Sequence, residues 1–394
     1  MKIDWLKPLL GSTGPFATAT LDVSRGGESG ERELRARWRS VVRDLDKAGA
    51  PAAVVADLED RALRPTHVHG PHGRVIIATA EDGVLVDRIL AAPPTASRGH
   101  WGAAPELGPA ARAADESVNY LLVVADRTGA DLYRSTPGTG GIEVERSSVE
   151  GDHDAVTKAK VGRYEEKRVE GRAEDSWERN AEAIAARVDR IVAEHGPEVV
   201  LLSGDVRACA LVRGAATRKT GDLLVDVQGG ARDSGVNQAS FDAHIAEALA
   251  QVRESRRTSV FEELQAAVAR DAGGVTSLAD AVTVLQRGQV RELVITASAL
   301  DGDTHSLWVG PDLLHLASSK EEVEALGIAA DDVRELPATV AVMRAALGQD
   351  AGVTVVGHDL PGGVGALLRW ADEDTPHDAS PSMSGDAERL RPAS

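Results

Sequence analysis

The stretch that decides the fold is TKAKVGRYEEKRVEGRAEDSWERNAEAIAARVDRIVAEH, from Thr157 to His195. Its apolar residues recur every three or four positions, which is the period of one buried face on a helix. Gly196 and Pro197 follow directly and predict the end of that helix. The sequence therefore predicts a long amphipathic helix whose apolar stripe consists of Val169, Ala173, Trp177, Ala181, Ile184, Val188 and Ile191.

The start of this helix and the loop before it are rich in cations, and we call the segment from Lys158 to Arg172 the basic tip. Its cations are Lys158, Lys160, Arg163, Lys167, Arg168 and Arg172, and its acidic residues are Glu165, Glu166 and Glu170. One interpretation is a surface for an anion, of which RNA is the obvious large example. The other interpretation is an ordinary solvated helix with intrahelical ion pairs. When the charges alone are considered, this second interpretation is favoured.

Composition sets limits on the class of protein. The chain of 394 residues, 42% of them apolar, is long enough for two or three domains with real cores. A net charge of -18 argues against a general nucleic-acid coat and against an anionic membrane surface as partner. Because Cys209 is the only cysteine, the chain has no intrachain disulfide and no thiolate zinc site, and we expect a small buried thiol. No apolar run approaches the ~20 residues of a membrane span, and no signal peptide is evident, which predicts a cytoplasmic protein.

The order of strand-like and helix-like patterns predicts an α/β protein of three domains. Residues 1–115 are predicted to form a small amino-terminal α/β domain and a linker, since residues 92–116 are rich in Pro, Ala and Gly without an apolar period. Residues 116–255 are predicted to form a middle domain with a mixed sheet, and residues 256–371 a layered α/β domain. The tail, residues 372–394, has a composition typical of disorder.

Three stretches carry a resemblance to a known family. A YLLVVADRTGADLY hairpin (Tyr120–Tyr133) precedes the basic tip and the Trp-Glu-Arg-Asn-Ala-Glu helix, and GVGALLRW (Gly363–Trp370) stands near the end. In this order they resemble the bacterial relatives of the archaeal and eukaryotic class-1 release factors and Pelota. That group includes a peptidyl-tRNA hydrolase branch and the ribosome hibernation factor Balon. The resemblance extends from about Gly14 to Trp370.

The resemblance implies a ribonuclease-H-like middle domain with a protruding basic loop and a long helix, and a Pelota-like α/β/α carboxy-terminal domain. It also implies that the loop reaches the peptidyl-transferase centre from the ribosomal A site. Implied partners are rRNA, tRNA and elongation factor Tu, and we expect no cofactor, no bound metal and no membrane partner.

The residues at the loop-to-helix junction depart from the pattern of release-active relatives, which is two glycines and a glutamine. When the Trp177 helix is aligned, Gly162 falls on the first glycine, Arg163 on the second and Glu166 on the glutamine. Glu166 is nearly isosteric with glutamine, but it adds a charge and lacks the amide donors. The remaining cations can still neutralise an RNA backbone, and Tyr164 can stack on an exposed base.

Three functional hypotheses remain open at this level. The first is a factor that occupies the A site without hydrolysis, in ribosome hibernation or stress protection. The second is a peptidyl-tRNA hydrolase that rescues stalled ribosomes, with Glu166 as its candidate catalytic residue. The third is a stress protein that keeps the fold without ribosome contact. The predicted RNA-binding residues are Lys158, Lys160, Gly162, Arg163, Tyr164, Lys167, Arg168 and Arg172.

Other chemistry-bearing groups have simpler interpretations. His67, His69 and His72 lie in a glycine-containing loop, where an exposed polar turn is favoured over a metal site. Gln228-Gly229-Gly230 contains the two glycines and the glutamine of the release-active junction in reverse order. The triplet follows a predicted strand, so we expect it to form a turn that reverses the chain. Ser203-Gly204-Asp205 lacks the Gly-x-Ser-x-Gly pattern of a hydrolase nucleophile elbow.

Overall fold

The computed structural model describes residues 4–12, 14–25, 30–66, 71–90, 92–135, 144–150, 163–232, 237–270, 273–302 and 305–376, with the backbone alone for residues 4, 163–175 and 301. The chain divides into two units. Residues 1–115 and 256–394 form the first, and residues 116–255 form the second, which we call the middle unit. The separation of the first unit into an amino-terminal and a carboxy-terminal domain stays a prediction.

The amino-terminal part of the first unit is a four-stranded antiparallel sheet of order β3-β2-β1-β4. Its strands are β1 (Phe16–Asp22), β2 (Gly73–Thr79), β3 (Gly83–Leu90) and β4 (Arg98–Gly102). A 3₁₀ helix, Asp4–Gly11, precedes them, and the helices are α1 (Gly30–Lys47), α2 (Ala52–Ala62) and α3 (Gly108–Glu116). The apolar stripe of α1 packs with α2 on the sheet through Leu34, Trp38, Val41, Leu45, Val54 and Leu58.

The predicted linker is wrong for most of its length. β4 pairs with β1, and α3 buries Ala110, Ala111, Ala113 and Ala114. Alanines on a short helix give little hydrophobic contrast in sequence, so their burial is decided by tertiary packing rather than by an apolar period.

The middle unit is a five-stranded mixed sheet. Its strands are β5 (Tyr120–Ala125), β6 (Gly129–Ser135), β7 (Val144–Glu150), β8 (Val199–Gly204) and β9 (Leu224–Asp226), in the order β7-β6-β5-β8-β9. The first three strands pair antiparallel, and β8 and β9 run parallel to β5. Its helices are α4 (Arg163–His195), α5 (Val206–Ala215), α6 (Arg218–Gly221) and the start of α7 (Gln238–Ala269). This sheet agrees with the ribonuclease-H-like fold that the resemblance implies.

Both faces of this sheet are covered, because the side chains of a strand alternate between its faces. On β5, Leu121 and Val123 contribute to a core with α4 and α5, whereas Leu122 and Val124 contribute to a second core with α7. At the end of β8, Gly204 has a φ of 124° and its Cα closely approaches β5. A Cβ there would lie 1.9 Å from the carbonyl oxygen of Ala125, so only glycine fits.

The carboxy-terminal part of the first unit has two sheets. One has the order β10-β16-β11-β15 and the other the order β13-β12-β14. The strands are β10 (Gly274–Val275), β11 (Val290–Thr296), β12 (Ser306–Val309), β13 (Leu316–Ala317), β14 (Arg334–Pro337), β15 (Gly352–Val356) and β16 (Val364–Leu368). The helices are α8 (Leu278–Gln286), α9 (Ala297–Gly302), α10 (Lys320–Ala325) and α11 (Ala338–Gly348), with 3₁₀ turns at Ala330–Asp332 and Pro361–Gly363. The chain is thus a mixed α/β protein, as the sequence predicts.

The predicted disordered tail begins too early. Thr375 is buried, and its hydroxyl contacts the side chain of Gln289 at 2.9 Å. Arg287 pairs with Asp372 at 2.6 Å, so the fold extends to residue 376. The prediction for residues 377–394 lies outside the described residues. Across the helices that the structure describes, none combines the length and apolar character needed to cross a membrane.

Candidate nucleic-acid interface

The basic tip follows strand β7, which ends at Glu150, and its part from Arg163 onward lies in helix α4. Lys158, Lys160 and Gly162 lie outside the described residues. Arg163, Tyr164, Glu166, Lys167, Arg168 and Arg172 lie in the first turns of α4, where only the backbone is described. Their placement at a helix amino terminus adds the positive end of the helix dipole to their own charges.

Glu166 lies in the first turn of α4. A carboxylate at that position interacts favourably with the free backbone N–H groups and the positive end of the helix dipole. Its presence therefore has a structural explanation that requires no catalytic role.

The carboxy-terminal half of α4 packs in the core of the middle unit. Ala181, Ile184, Val188 and Ile191 are buried there, which confirms that part of the predicted stripe. The buried side chain of Asn180 donates a 3.0 Å hydrogen bond to the carbonyl oxygen of Arg127. Val169 and Ala173 belong to the part of the helix whose side chains are not described. A helix of 33 residues is about 50 Å long, so Arg163 lies at the end of α4 that is far from these core contacts.

Trp177 is held between two guanidinium groups. The Arg127 carbon Cζ lies 4.5 Å from the ring centroid and that of Arg207 lies 5.2 Å away, which is cation–π geometry. Arg127 also pairs with Asp205 at 3.3 Å, and the Asp205 side chain caps the amino terminus of α5. Sequence reasoning missed this cluster. The sequence feature that could have revealed the cluster is the position of Arg127 and Arg207, which follow the ends of β5 and β8. Because these two strands are parallel, their ends lie at the same edge of the sheet.

Arg232 connects two parts of the middle sheet, the β5–β6 turn and the end of strand β7. Its guanidinium donates to Asp126 at 3.0 Å, to the Thr128 hydroxyl at 3.2 Å and to Glu150 at 2.5 Å. Burial raises the pKa of Asp126, but hydrogen bonds from Thr128, Gly129 and Arg232 outweigh it and hold the pKa below its usual value. Desolvation lowers the pKa of Arg232, but its hydrogen bonds and charge interactions with Asp126 and Glu150 outweigh this and raise it. Arg232 thus fixes the hairpin turn and the end of β7, from which the tip segment departs.

These groups line an open groove of about 660 Å³, formed by Asp126, Thr128, Asp131, Arg146, Ser147, Ser148, Glu150 and Arg232. Its three carboxylates face two guanidinium groups, so the groove is close to charge balance and is not a phosphate site. In the described part of the chain, no group of three or more His, Cys, Asp or Glu side chains could hold a metal ion.

The remaining sequence candidates are structural. The side chain of His72 is buried and contacts the Thr66 hydroxyl at 2.7 Å, whereas His67 and His69 lie outside the described residues. The buried Ser203 hydroxyl donates to the carbonyl oxygen of Val227 at 2.6 Å and accepts from the Gly230 N–H at 3.0 Å. Ser203 is therefore committed to holding the turn at residues 228–230.

Cys209 on α5 is only partly exposed, rather than fully buried as expected from sequence. Burial and the nearby carboxylates of Asp226 and Asp205 raise the pKa of its thiol from 9.0 to about 11. The thiolate is the reactive form, so its fraction at pH 8 is about a hundredfold lower than for an unperturbed thiol. We expect slow labelling of Cys209 by iodoacetamide at pH 8 in the folded protein, rising with pH up to about 11. Mass spectrometry measures the rate, with urea-unfolded protein as the control, and equal rates in both states would contradict the expectation.

Comparison with known proteins gives a family for the middle of the chain. Residues 119–270 match the model of bacterial archaeo-eukaryotic release factor family 2. Uncharacterized proteins of Mycobacterium tuberculosis strains H37Rv and CDC 1551 are 26% identical over 383 residues, covering 94% of this chain and 97% of each relative. 

Solved structures of translation factors are also similar at low identity. Archaeal aRF1 is 14% identical with a TM-score of 0.24, covering 93% of this chain and 96% of that one. Dom34 of S. cerevisiae is 11% identical with a TM-score of 0.40, covering 77% and 81%. The sequence match over residues 119–270 supports a similarity to the bacterial archaeo-eukaryotic release factor-like family.

Proposed function

We propose that the protein is a ribosome-binding translation factor of the release-factor/Pelota type that acts in the cytoplasm. The basic tip enters the A site toward the peptidyl-transferase centre and contacts rRNA there. The observation that carries this proposal is the match of residues 119–270 to a release-factor family, together with the position of Arg163 to Arg172 at the start of α4.

The charge distribution supports a localised contact. A protein of net charge -18 is repelled by RNA as a whole, so binding requires a segment where cations outnumber acids. The six cations and three acids of the tip meet this requirement. Its position at the end of an anchored helix supplies reach, and the helix dipole adds attraction for phosphate.

The junction residues favour occupancy without hydrolysis. Arg163 replaces the second glycine, and a side chain there restricts how closely the backbone approaches a crowded RNA cavity. Glu166 replaces the glutamine and has no N–H to donate to the reacting ester or to water. The protein therefore protects or silences idle ribosomes under stress, with tRNA and elongation factor Tu as further partners in the same complex.

Two assays on the full chain test this function. In sedimentation with 70S ribosomes, we expect binding at low salt that weakens steeply between 50 and 200 mM, as counterion release from RNA requires. With ribosomes that hold peptidyl-tRNA, we expect no peptide release above background. Absence of cosedimentation at low salt would contradict the proposal. Peptide release that disappears in Glu166→Ala would instead establish the hydrolase alternative.

A further inference from the structure

A second basic surface lies on α1, in the amino-terminal part of the first unit. The exposed side of this helix carries Arg32, Arg35, Arg39, Arg43 and Lys47, and we call this set the α1 basic face. Successive members are three or four residues apart, which places them in one line along the helix. The buried residues Leu34, Trp38, Val41 and Leu45 occupy the other side, so packing on the sheet directs the cations outward.

Most of these cations lack a carboxylate partner. Arg35 pairs with Glu31 at 3.2 Å, one turn earlier on the helix. For Arg32, Arg39, Arg43 and Lys47, the structure records no ion pair with any described residue. An exposed helix that is merely solvated usually alternates its charges along each face, which gives i,i+4 pairs. Here the acids beside the α1 basic face are Glu31, which pairs with Arg35, and Asp46 near the carboxy-terminal end of the helix.

The α1 basic face borders a groove of about 390 Å³. The groove is lined by Arg32, Arg35, Trp38, Arg39 and, from α2, Glu59. Three guanidinium groups therefore converge around one concave surface, against a single carboxylate. Trp38 is only 3% exposed, and its indole nitrogen has no hydrogen-bond partner within the described part of the chain. A buried donor without an acceptor is uncommon in native proteins.

We infer that the α1 basic face binds the phosphate backbone of RNA. The guanidinium group presents planar, paired N–H donors that match two phosphate oxygens, and four of the five cations are arginines. The line from Arg32 to Lys47 is about 22 Å long at the helical rise, enough to follow several phosphates along a groove. The choice of RNA over DNA rests on the proposed function, whereas the phosphate site itself rests on α1 alone.

The test uses the full-length protein and a fluorescently labelled RNA hairpin of about 16 base pairs, without ribosomes. In the test variant, Arg32, Arg39 and Arg43 are replaced by glutamine, which keeps helix propensity and removes three charges. In the matched control, the exposed Arg179, Arg190 and Arg218 of the middle unit are replaced by glutamine. Thermal melting verifies that both variants are folded.

Fluorescence anisotropy is expected to show at least a tenfold loss of hairpin affinity in the test variant at low salt, and about twofold or less in the control. The slope of log affinity against log salt should fall by about 2 to 3, since each lost phosphate contact removes about 0.7–0.9. Equal losses in both variants, or an unchanged test variant, would overturn the inference. Competition by polyglutamate as strong as by RNA would assign the surface to an acidic protein instead.

The outcome is separable from that of the proposed function. A DNA duplex of the same length that binds equally well, together with failure of ribosome cosedimentation, would remove the proposed function and the choice of RNA. If the α1 variant loses hairpin binding and ribosome binding depends on the basic tip, the proposed function and the α1 phosphate site are both supported.

Discussion

Simultaneous replacement of Lys160, Arg163 and Arg168 by glutamate is expected to raise the apparent Kd for 70S ribosomes by at least a hundredfold at low salt. Each substitution removes a cation that neutralises a phosphate and places a negative charge at the same point. The salt dependence of binding should flatten as well, because fewer counterions are released. Sedimentation over a salt series measures both effects.

Loss of fold does not explain this result if it is obtained. Arg163 and Arg168 lie in the first turns of α4, where added carboxylates interact favourably with the helix dipole. The matched control replaces Arg190, Arg218 and Lys219 by glutamate, which makes the same change in net charge at exposed positions away from the tip. We expect ribosome binding of the control to stay within a few-fold of the wild type. A tip variant that binds like the control would show that the tip does not contact the ribosome.

Asp115→Ala is expected to have the largest effect on stability, lowering the free energy of unfolding by about 3 kcal/mol. Asp115 is fully buried, pairs with Arg257 through a 2.6 Å hydrogen bond from Nε, and accepts from the Val355 N–H at 3.3 Å. Removing one partner of a buried ion pair leaves the other uncompensated, which costs about 3–5 kcal/mol. The lower end applies because the Arg257 side chain is 30% exposed and regains some water.

The position of this pair in the chain adds to its importance. Asp115 is the last residue of the first unit before the chain enters the middle unit, and Arg256 and Arg257 are the first residues after it returns. The Asp115 side chain and main chain thus join α3, α7 and β15 within one unit. Urea unfolding followed by circular dichroism measures the effect, with the exposed Asp46→Ala as the control. An unfolding midpoint equal to that of the control would contradict the expected role.

Sequence patterns were informative wherever apolar contrast was strong. The stripe on α4, the β5–β6 hairpin and the strands β8, β11 and β15 follow from periodicity, since a residue that must be buried repeats with the geometry of its element. Residues 92–116 show no such apolar period in the sequence. Here α3 is buried mainly through alanines and β4 is an edge strand with mixed exposure, so neither produces an apolar period.

The candidate sites divide in the same way. The local charge of the basic tip and the five cations of the α1 basic face can be read from the sequence, because helical spacing alone brings those residues to one side. The Trp177 cluster and the Arg232 network join residues as far as 106 positions apart, such as Arg232 and Asp126. No local pattern encodes such a contact.

The sequence by itself therefore determined the α/β class, the long helix with its basic start, and the departure from the two-glycine-and-glutamine junction, since each depends on residue type and short-range spacing. Only the tertiary structure decided which strands of the middle sheet are parallel and which arginines flank Trp177. It also decided that Asp115 meets Arg257, and that Arg32 and Arg39 of α1 border a groove without an ion-pair partner among the described residues. These features depend on the packing of segments distant in sequence, where burial and close approach select contacts that local propensity does not specify.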